Sequence, residues 1–296
     1  MFSFKINYND AESATALFNG NISETFWKTK SDNKLRKYNY TYDNLNRLLD
    51  ASYTRVNETT APNSYRETLS YDKNGNIATL NRFGLVDDAS YAIQIDELIY
   101  TYDTNNKNLL KKVIDISKSP QGFDETLDKN SNGITDTVDD YTYDANGNMI
   151  KDDNKGITSI TYNHLNLPTK ILVGTNTIEY LYNATGQKVL KKVTKGTIIE
   201  NTHYLAGGFQ YKDAMLQFFP HAEGYVNVIT SIDGARNYNY VFNYTDHLGN
   251  VRVSYGVDPN TGATKILEEN HYYPFGLKHS GYNMTYSFYQ QIQMVQ

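Results

Sequence analysis

The sequence predicts an all-β protein built of antiparallel hairpins, and three observations carry that prediction. Tyrosine is abundant, 27 residues against 12 phenylalanines and 1 tryptophan, and Tyr favours a pleated surface where its ring is buried and its hydroxyl stays wet. Tyr-Asp pairs recur at Tyr42-Asp43, Tyr71-Asp72, Tyr102-Asp103 and Tyr143-Asp144, with Tyr162-Asn163 and Tyr182-Asn183 as variants. Each pair is followed by Gly or Asn and then by another apolar run. No segment reads as a helix. Leu45 to Tyr53, the nearest to one, follows a Tyr-Asp turn and reads as a return strand.

The stretch YTYDANGNMI, residues 141–150, shows why each unit is a hairpin. Tyr141 and Tyr143 alternate with Thr142, the period of a strand with one ring-bearing face. Asp144 can accept hydrogen bonds from amides two or three residues on, which opens a turn. Gly147 supplies a positive φ. The same turn is written YDKNGN at 71–76, YNATGQ at 182–187 and TDHLGN at 245–250. In YDNLNR and YDTNNK, Asn46 and Asn106 stand where Gly does, Asn being the next most tolerant of that backbone region. Flanking runs alternate as well. Ile178, Tyr180 and Tyr182 share one face; Val189, Lys191 and Val193 share another. The repeated tyrosines read as sheet residues rather than ligand contacts. Intervals of 29, 31, 41, 19 and 20 residues between pairs exclude a strict solenoid and fit a unit of about 20 residues with insertions.

Charge and composition narrow the partners. A net charge of −5 argues against nucleic acid. The charge is local: residues 115–140 hold Asp115, Asp124, Glu125, Asp128, Asp136, Asp139 and Asp140 against Lys118 and Lys129, so the remainder is balanced. The absence of cysteine excludes disulfides and thiolate metal sites. No apolar run approaches the ~18 residues of a membrane-spanning helix. The opening MFSFKINYND has no basic region leading into an apolar core, so no signal peptide is read there.

The acidic insert holds the one cofactor candidate, calcium. Asp128, Asn130, Asn132 and Asp136 fall at positions 1, 3, 5 and 9 of a twelve-residue loop, Gly133 at 6 and Asp139 at 12, with the Ile134 carbonyl between. That spacing aims short oxygen ligands at one hard cation. The other reading is a solvated polar loop.

Elsewhere the motifs read as structure. Asp246 and His247 are adjacent, and neighbours on a strand or turn do not converge on one reacting atom. Asp246 is expected to open a hairpin turn, Gly249 to close it, and Arg252 to pair with a carboxylate or a backbone carbonyl. The remaining histidines (His164, His203, His221, His271, His279) are scattered, which disfavours zinc. In YYPFG, Pro274 fixes φ and Gly276 takes a positive φ. With no convergent catalytic set, the chain is expected not to be an enzyme.

These motifs resemble a known family. The segment 141–171, from YTYDANGN to LPTKI, resembles the tyrosine-aspartate (YD) repeats of RHS proteins, with Tyr143, Asp144 and Gly147 as its signature. FNYTDHLGNVRVSY followed by EENHYYPFGL resembles the RHS repeat-associated core, of Bacteroidetes type, through Asp246, His247, Gly249, Arg252, Pro274 and Gly276. LFNGNISETFWKT near the N-terminus resembles segments upstream of such cores. The resemblance reaches about Tyr282. It implies YD hairpins in residues 1–239 (with the acidic insert at 115–140), a core motif in 240–282 and a divergent tail in 283–296. It further implies a spiralling, hollow β-shell, secreted or at the cell surface in the full-length family, that encloses a toxic C-terminal polypeptide. Some members cut themselves with aspartates downstream of the core. Here NMTYSFYQQIQMVQ stands in that place, so a fragment without self-cleavage is expected. The implied partners are the rest of a larger RHS protein or its toxin cargo. A carbohydrate or cell-surface binding module, with sugars stacked on tyrosine rows, is the alternative. Unpaired strands at the sheet ends are expected to promote self-association.

Overall fold

The computed structural model describes residues 2–84, 91–125, 138–231, 233–258 and 261–280. The first sheet holds β1 (Phe2–Asn7), β2 (Glu24–Thr29), β3 (Arg36–Tyr42), β4 (Leu48–Arg55), β5 (Glu67–Tyr71), β6 (Ile77–Gly84), β7 (Ile93–Tyr102) and β8 (Leu110–Asp115). The second runs through β9 (Tyr141–Tyr143), β10 (Met149–Asp152), β11 (Ile157–Tyr162), β12 (Pro168–Val173), β13 (Asn176–Tyr182), β14 (Lys188–Lys195) and β15 (Ile198–Tyr204). It continues with β16 (Gln210–Lys212), β17 (Met215–His221), β18 (Gly224–Thr230), β19 (Arg236–Thr245), β20 (Val251–Val257) and β21 (Thr264–Glu269). In both sheets spatial order is sequence order, so every strand pairs with its neighbour in sequence and no connection crosses over. The fold is all-β, as the alternation requires. Strand β19 runs without interruption through residue 240, where the motif reading divides repeats from core.

The Tyr-Asp unit builds each hairpin in the same way. Tyr143 is the last residue to pair, with Met149, and the register shifts beside it. The Asp144 carboxylate then accepts the amides of Asn146 at 2.9 Å and Asn148 at 2.8 Å, plus the Asn148 side-chain amide at 2.9 Å. Its backbone N–H donates to the Asn148 carbonyl, and the Gly147 N–H returns to the Asp144 carbonyl. Gly147 sits at φ 82°. Asp43, Asp72 and Asp246 repeat the arrangement, and Asn163 and Asn183 stand in for Asp. Asn46 takes the positive φ of 63° expected of it. Asn106 does not. That turn is two residues longer, closing from the Asp103 N–H to the Leu109 carbonyl, and the Asn106 N–H is held at 2.7 Å by the Asp103 carboxylate. Asn106 is therefore not the counterpart of the turn glycine.

The tyrosine hydroxyls are not left wet. Five of the repeated tyrosines donate their hydroxyls backwards, to the carbonyl of the first residue in the preceding hairpin's return strand, and Tyr42 donates to the Ile22 carbonyl at 2.9 Å, two residues before β2. Tyr71 reaches Leu48 at 2.8 Å, Tyr102 reaches Ile77 at 2.9 Å, and Tyr143 reaches Leu110 at 2.7 Å. Tyr162 reaches Met149 at 2.6 Å and Tyr182 reaches Pro168 at 2.9 Å. Phe would fill the same space and leave the carbonyl without this donor, which is why the repeat is written with Tyr. Burial also pushes these phenols upward, Tyr42 to about 12, so they remain donors near neutrality.

The stitch from Tyr143 crosses the break between sheets. There Asp140 replaces the missing ladder: its N–H donates to the Lys111 carbonyl, its carbonyl accepts from Asp153, and its carboxylate accepts the Val113 N–H at 2.9 Å. Asp115 likewise takes the Glu97 N–H at 2.9 Å, and Glu125 takes the Asp115 N–H at 2.8 Å. Part of the acidic insert thus caps the open edge of β8.

Burial is uneven. Leu69, Leu80, Leu98 and Val113 of the first sheet and Tyr141 of β9 form one core cluster. Trp27, Tyr38, Ala51, Tyr53, Tyr65, Ile95 and Tyr273 form another. By contrast, none of residues 155–215 is buried, so β11–β16 form a single layer with both faces open.

Two variants test the repeat chemistry. Tyr71→Phe removes one hydroxyl-to-carbonyl bond and should lower stability by about 1 kcal/mol, a Tm loss on the order of 2 °C in thermal denaturation. Gly147→Ala meets no atom within 4 Å of the added Cβ. Its cost of about 1 kcal/mol in the same measurement should therefore be purely conformational.

Candidate functional site

The N-terminal sheet and the C-terminal motif meet in a buried joint. After β21 the chain turns through Tyr273–Leu277, closed by the Tyr273 N–H to the Leu277 carbonyl at 2.8 Å, with Gly276 at φ 86°. The His279 N–H then returns to the His271 carbonyl at 2.8 Å. This small loop lies against β2–β4 and the segment around Tyr65, far away in sequence.

Three polar sets hold it. His271 is 1% exposed; its Nδ1 accepts the Trp27 indole N–H at 2.8 Å and its Nε2 lies 3.0 Å from Glu269. Because the indole nitrogen only donates, Nδ1 carries the lone pair and Nε2 carries the proton. Glu269 also accepts the Thr29 hydroxyl at 2.7 Å. Burial works to raise its pKa, yet the hydrogen bonds from His271, Ser31 and Thr29 hold the carboxyl below its usual range.

His279 is fully buried, with Nε2 2.9 Å from the Tyr38 hydroxyl. That hydroxyl donates to the Tyr65 carbonyl at 2.7 Å, so its single proton is used and His279 is the donor to its oxygen. The imidazole stacks on Tyr65 with centroids 4.0 Å apart and meets Tyr273 edge-on at 4.6 Å. The Tyr65 hydroxyl in turn donates to the Ser280 carbonyl at 2.7 Å. Burial holds both imidazoles below the ordinary histidine value. Glu269 opposes the shift at His271, whereas His271, Arg252 and Arg36 reinforce it at His279.

The third set is ionic. Arg82 bonds Glu67 at 2.6 Å and Asp96 at 3.0 Å, both carboxylates fully buried, and its guanidinium lies 5.9 Å from the Tyr273 ring centre. The Tyr273 hydroxyl donates to the Phe83 carbonyl at 2.6 Å. Burial raises the Glu67 pKa, and Arg82 opposes it. This joint binds residues 269–280 to the strands around Trp27, Tyr38 and Tyr65, and both of its imidazoles are buried.

The expected core-motif residues are all at or next to the joint. Asp246 opens its turn by accepting the Leu248 and Asn250 amides at 3.0 Å each, and Gly249 has φ 82°. Arg252 meets both expected kinds of partner, Asp246 at 3.3 Å and the Asn270 carbonyl at 3.1 Å, while its guanidinium lies 5.0 Å from the Trp27 ring centre. His247 stacks on Phe4 with ring centroids 5.7 Å apart. Pro274 and Gly276 form the docking turn. Of the calcium loop, Asp128, Asn130, Asn132, Ile134 and Asp136 lie outside the described residues, and Asp139 pairs with Lys111 at 3.0 Å. Among the described residues no cluster of three or more His, Cys, Asp or Glu side chains is placed to hold a metal.

Sequence reasoning missed His271, His279, Trp27, Tyr38 and Tyr65 as one unit. Their spacing carries no signal, since Trp27 and His271 are 244 positions apart. The one hint was that the single tryptophan lies inside the N-terminal segment resembling those found upstream of RHS cores.

These features define a class: a hairpin wall in sequence order in which the Tyr273–Leu277 turn locks onto β2–β4. Known structures show the same fold. A crystal structure of TcdB2–TccC3–Cdc42 matches with a TM-score of 0.52 at 14% identity over 94% of this chain. The Photorhabdus luminescens Tc holotoxin pore matches with a TM-score of 0.50 at 14% identity, also over 94%. This chain spans only 15% and 14% of the length of those chains. The hairpin architecture implied by the RHS resemblance is therefore one shared with Tc toxin chains. No protein-family model matches the chain, and no curated protein does.

Arg82→Met should leave Glu67 and Asp96 buried without their cation and cost about 3–5 kcal/mol in chemical denaturation. Burial already raises the Glu67 pKa, and without Arg82 to oppose it the folded value should lie further above the unfolded one. The folded variant then binds more protons than the unfolded chain, so it should recover stability as pH falls, reducing the difference from the unmodified protein. Glu24 gives the opposite sign. Burial opposes its ionisation, but bonds from Glu12, Asn7, Ser13 and Ala14 hold its pKa at about 2. Its contribution should be complete above the usual carboxylate value near 4.5 and fade toward pH 2. Glu24→Gln should flatten that part of the pH–stability curve.

Proposed function

We propose that this chain is a structural wall segment of an RHS-type shell protein, related in function to toxin-containing assemblies and without catalytic activity of its own. The single-layered sheet carries this reading. Ile160, Ile171, Ile178 and Val193 are direct cross-strand partners in β11–β14 and so line one face. They remain half-exposed, in a region with no buried residue. A sheet that buries neither face gains little hydrophobic stabilisation alone, and this one makes physical sense as part of a larger enclosure. The similar structures support the reading because one of them is described as a Tc holotoxin pore. The enclosed polypeptide would be a C-terminal effector of a larger secreted protein. Glycan stacking draws less support: on the exposed tyrosine row, Phe242 and Tyr244 stack on Tyr255 at 5.4 and 5.3 Å, so ring faces cover one another.

Electron microscopy of the longest natural product containing this segment tests the proposal. The expected image is a hollow wall in which further hairpins continue from these sheets around enclosed density. A compact particle with no lumen would overturn it. Intact mass of the purified chain should show one species at 33.8 kDa; two complementary fragments would refute the non-catalytic assignment.

A further inference from the structure

The joint depends on two imidazoles being neutral, and the bonding geometry shows why for His271. Its Nδ1 lone pair is committed to the Trp27 indole N–H at 2.8 Å, and an Arg252 Nη2 stands 3.5 Å from the same nitrogen. A proton on Nδ1 would set an N–H against two donors. Around His271 stand Glu269 on its own segment, Trp27 from β2, Arg252 from β20, and Arg36 from β3 with its bonded partner Asp32. Glu269 already receives the Nε2 proton, so it eases a second proton without making room for it.

His279 is placed among aromatic rings and cations. Tyr65 covers one face at 4.0 Å, Tyr273 meets it at 4.6 Å, Tyr53 at 6.0 Å, and Tyr38 holds Nε2. The His271 ring lies 6.4 Å away, and the charges that act on His279 are Arg252 and Arg36. Charging it adds a cation to a site with two already, away from water.

Both histidines belong to the short segment 270–280, whose one isolated bridge, Tyr272 to Lys278, lies within the segment itself. It meets its neighbours through side chains, the Asn270 and Ser280 carbonyls and the Asn270 N–H to the Arg252 carbonyl at 2.9 Å, rather than as a strand of the sheet. We infer that this segment is an acid-opened latch: protonation of His271 and His279 releases 270–280 from the N-terminal strands while the hairpin sheets stay paired. Burial lowers both histidine pKa values, so the docked form binds fewer protons than the released one. The latch is therefore fully closed above the ordinary histidine value of about 6.5 and weakens as pH falls below it. The latch rests on the geometry of the joint and stands whether or not the wall encloses an effector.

The protein carries its own reporter, because Trp27 is its single tryptophan and is 1% exposed within the joint. Between about pH 7.5 and about pH 5, Trp27 emission should shift to the red reversibly while the far-UV strand signal is unchanged. Amide exchange in 270–280, corrected for the intrinsic pH effect, should rise about tenfold per pH unit for each proton taken up. His271→Gln with His279→Phe should remove most of both responses. Constant emission and exchange down to pH 5 would overturn the latch. So would loss of the strand signal in the same step, or a full transition in the folded double variant. If that variant does not fold, exchange in the unmodified protein decides alone: acceleration confined to 270–280 supports the latch, and uniform acceleration refutes it.

Discussion

The architecture depends on a hydrogen bond made by five successive repeats, from a tyrosine hydroxyl to the carbonyl that begins the previous return strand. Ladder bonds join adjacent strands but leave turn ends free to splay. The tyrosine bond ties each turn to the one before, at 2.7 Å even across the sheet break where Tyr143 reaches Leu110. A carbonyl at a strand start keeps a lone pair after the ladder is made, and a buried phenol is the side chain long enough to reach it while its ring packs on the wall. The turn aspartate completes the unit by consuming amides that the sharp turn would otherwise leave unpaired.

A wall of this kind has local contacts and weak ends. Strand order equals sequence order in both sheets, so little in the repeats themselves fixes the position of one end relative to the other. The joint supplies that constraint. His271, His279, Tyr273 and Arg252 converge on Trp27, Tyr38 and Tyr65, and the cost of burying so many polar groups is offset by pairing them: Glu269 with His271 and Thr29, Arg82 with Glu67 and Asp96. The same pairing makes the joint sensitive to protonation, because buried networks tolerate little change in charge. Burial is accordingly uneven along the chain: the two core clusters centre on the first sheet and take in Tyr141 and Tyr273, Val226, Val241 and Val253 are buried further on, and the sheet between them is open.

The sequence by itself determined the hairpins and their turn chemistry. Alternation of Tyr141, Thr142 and Tyr143 is a property of three residues, and the Asp144–Gly147 turn is settled within five, so both are legible without any long-range contact. The roles of Asp246, Gly249, Pro274 and Gly276 were legible for the same reason. Asn106 was misread because loop length, not residue type, decided its backbone. Tertiary structure alone decided where the tyrosine hydroxyls go, that β11–β16 have no covering layer, and that two scattered histidines share a joint with the only tryptophan. The hydroxyls reach carbonyls 13 to 33 positions back, in the neighbouring hairpin, whereas the joint depends on partners 190 to 244 positions away, and no periodicity in a chain encodes which distant segment will fold back against it.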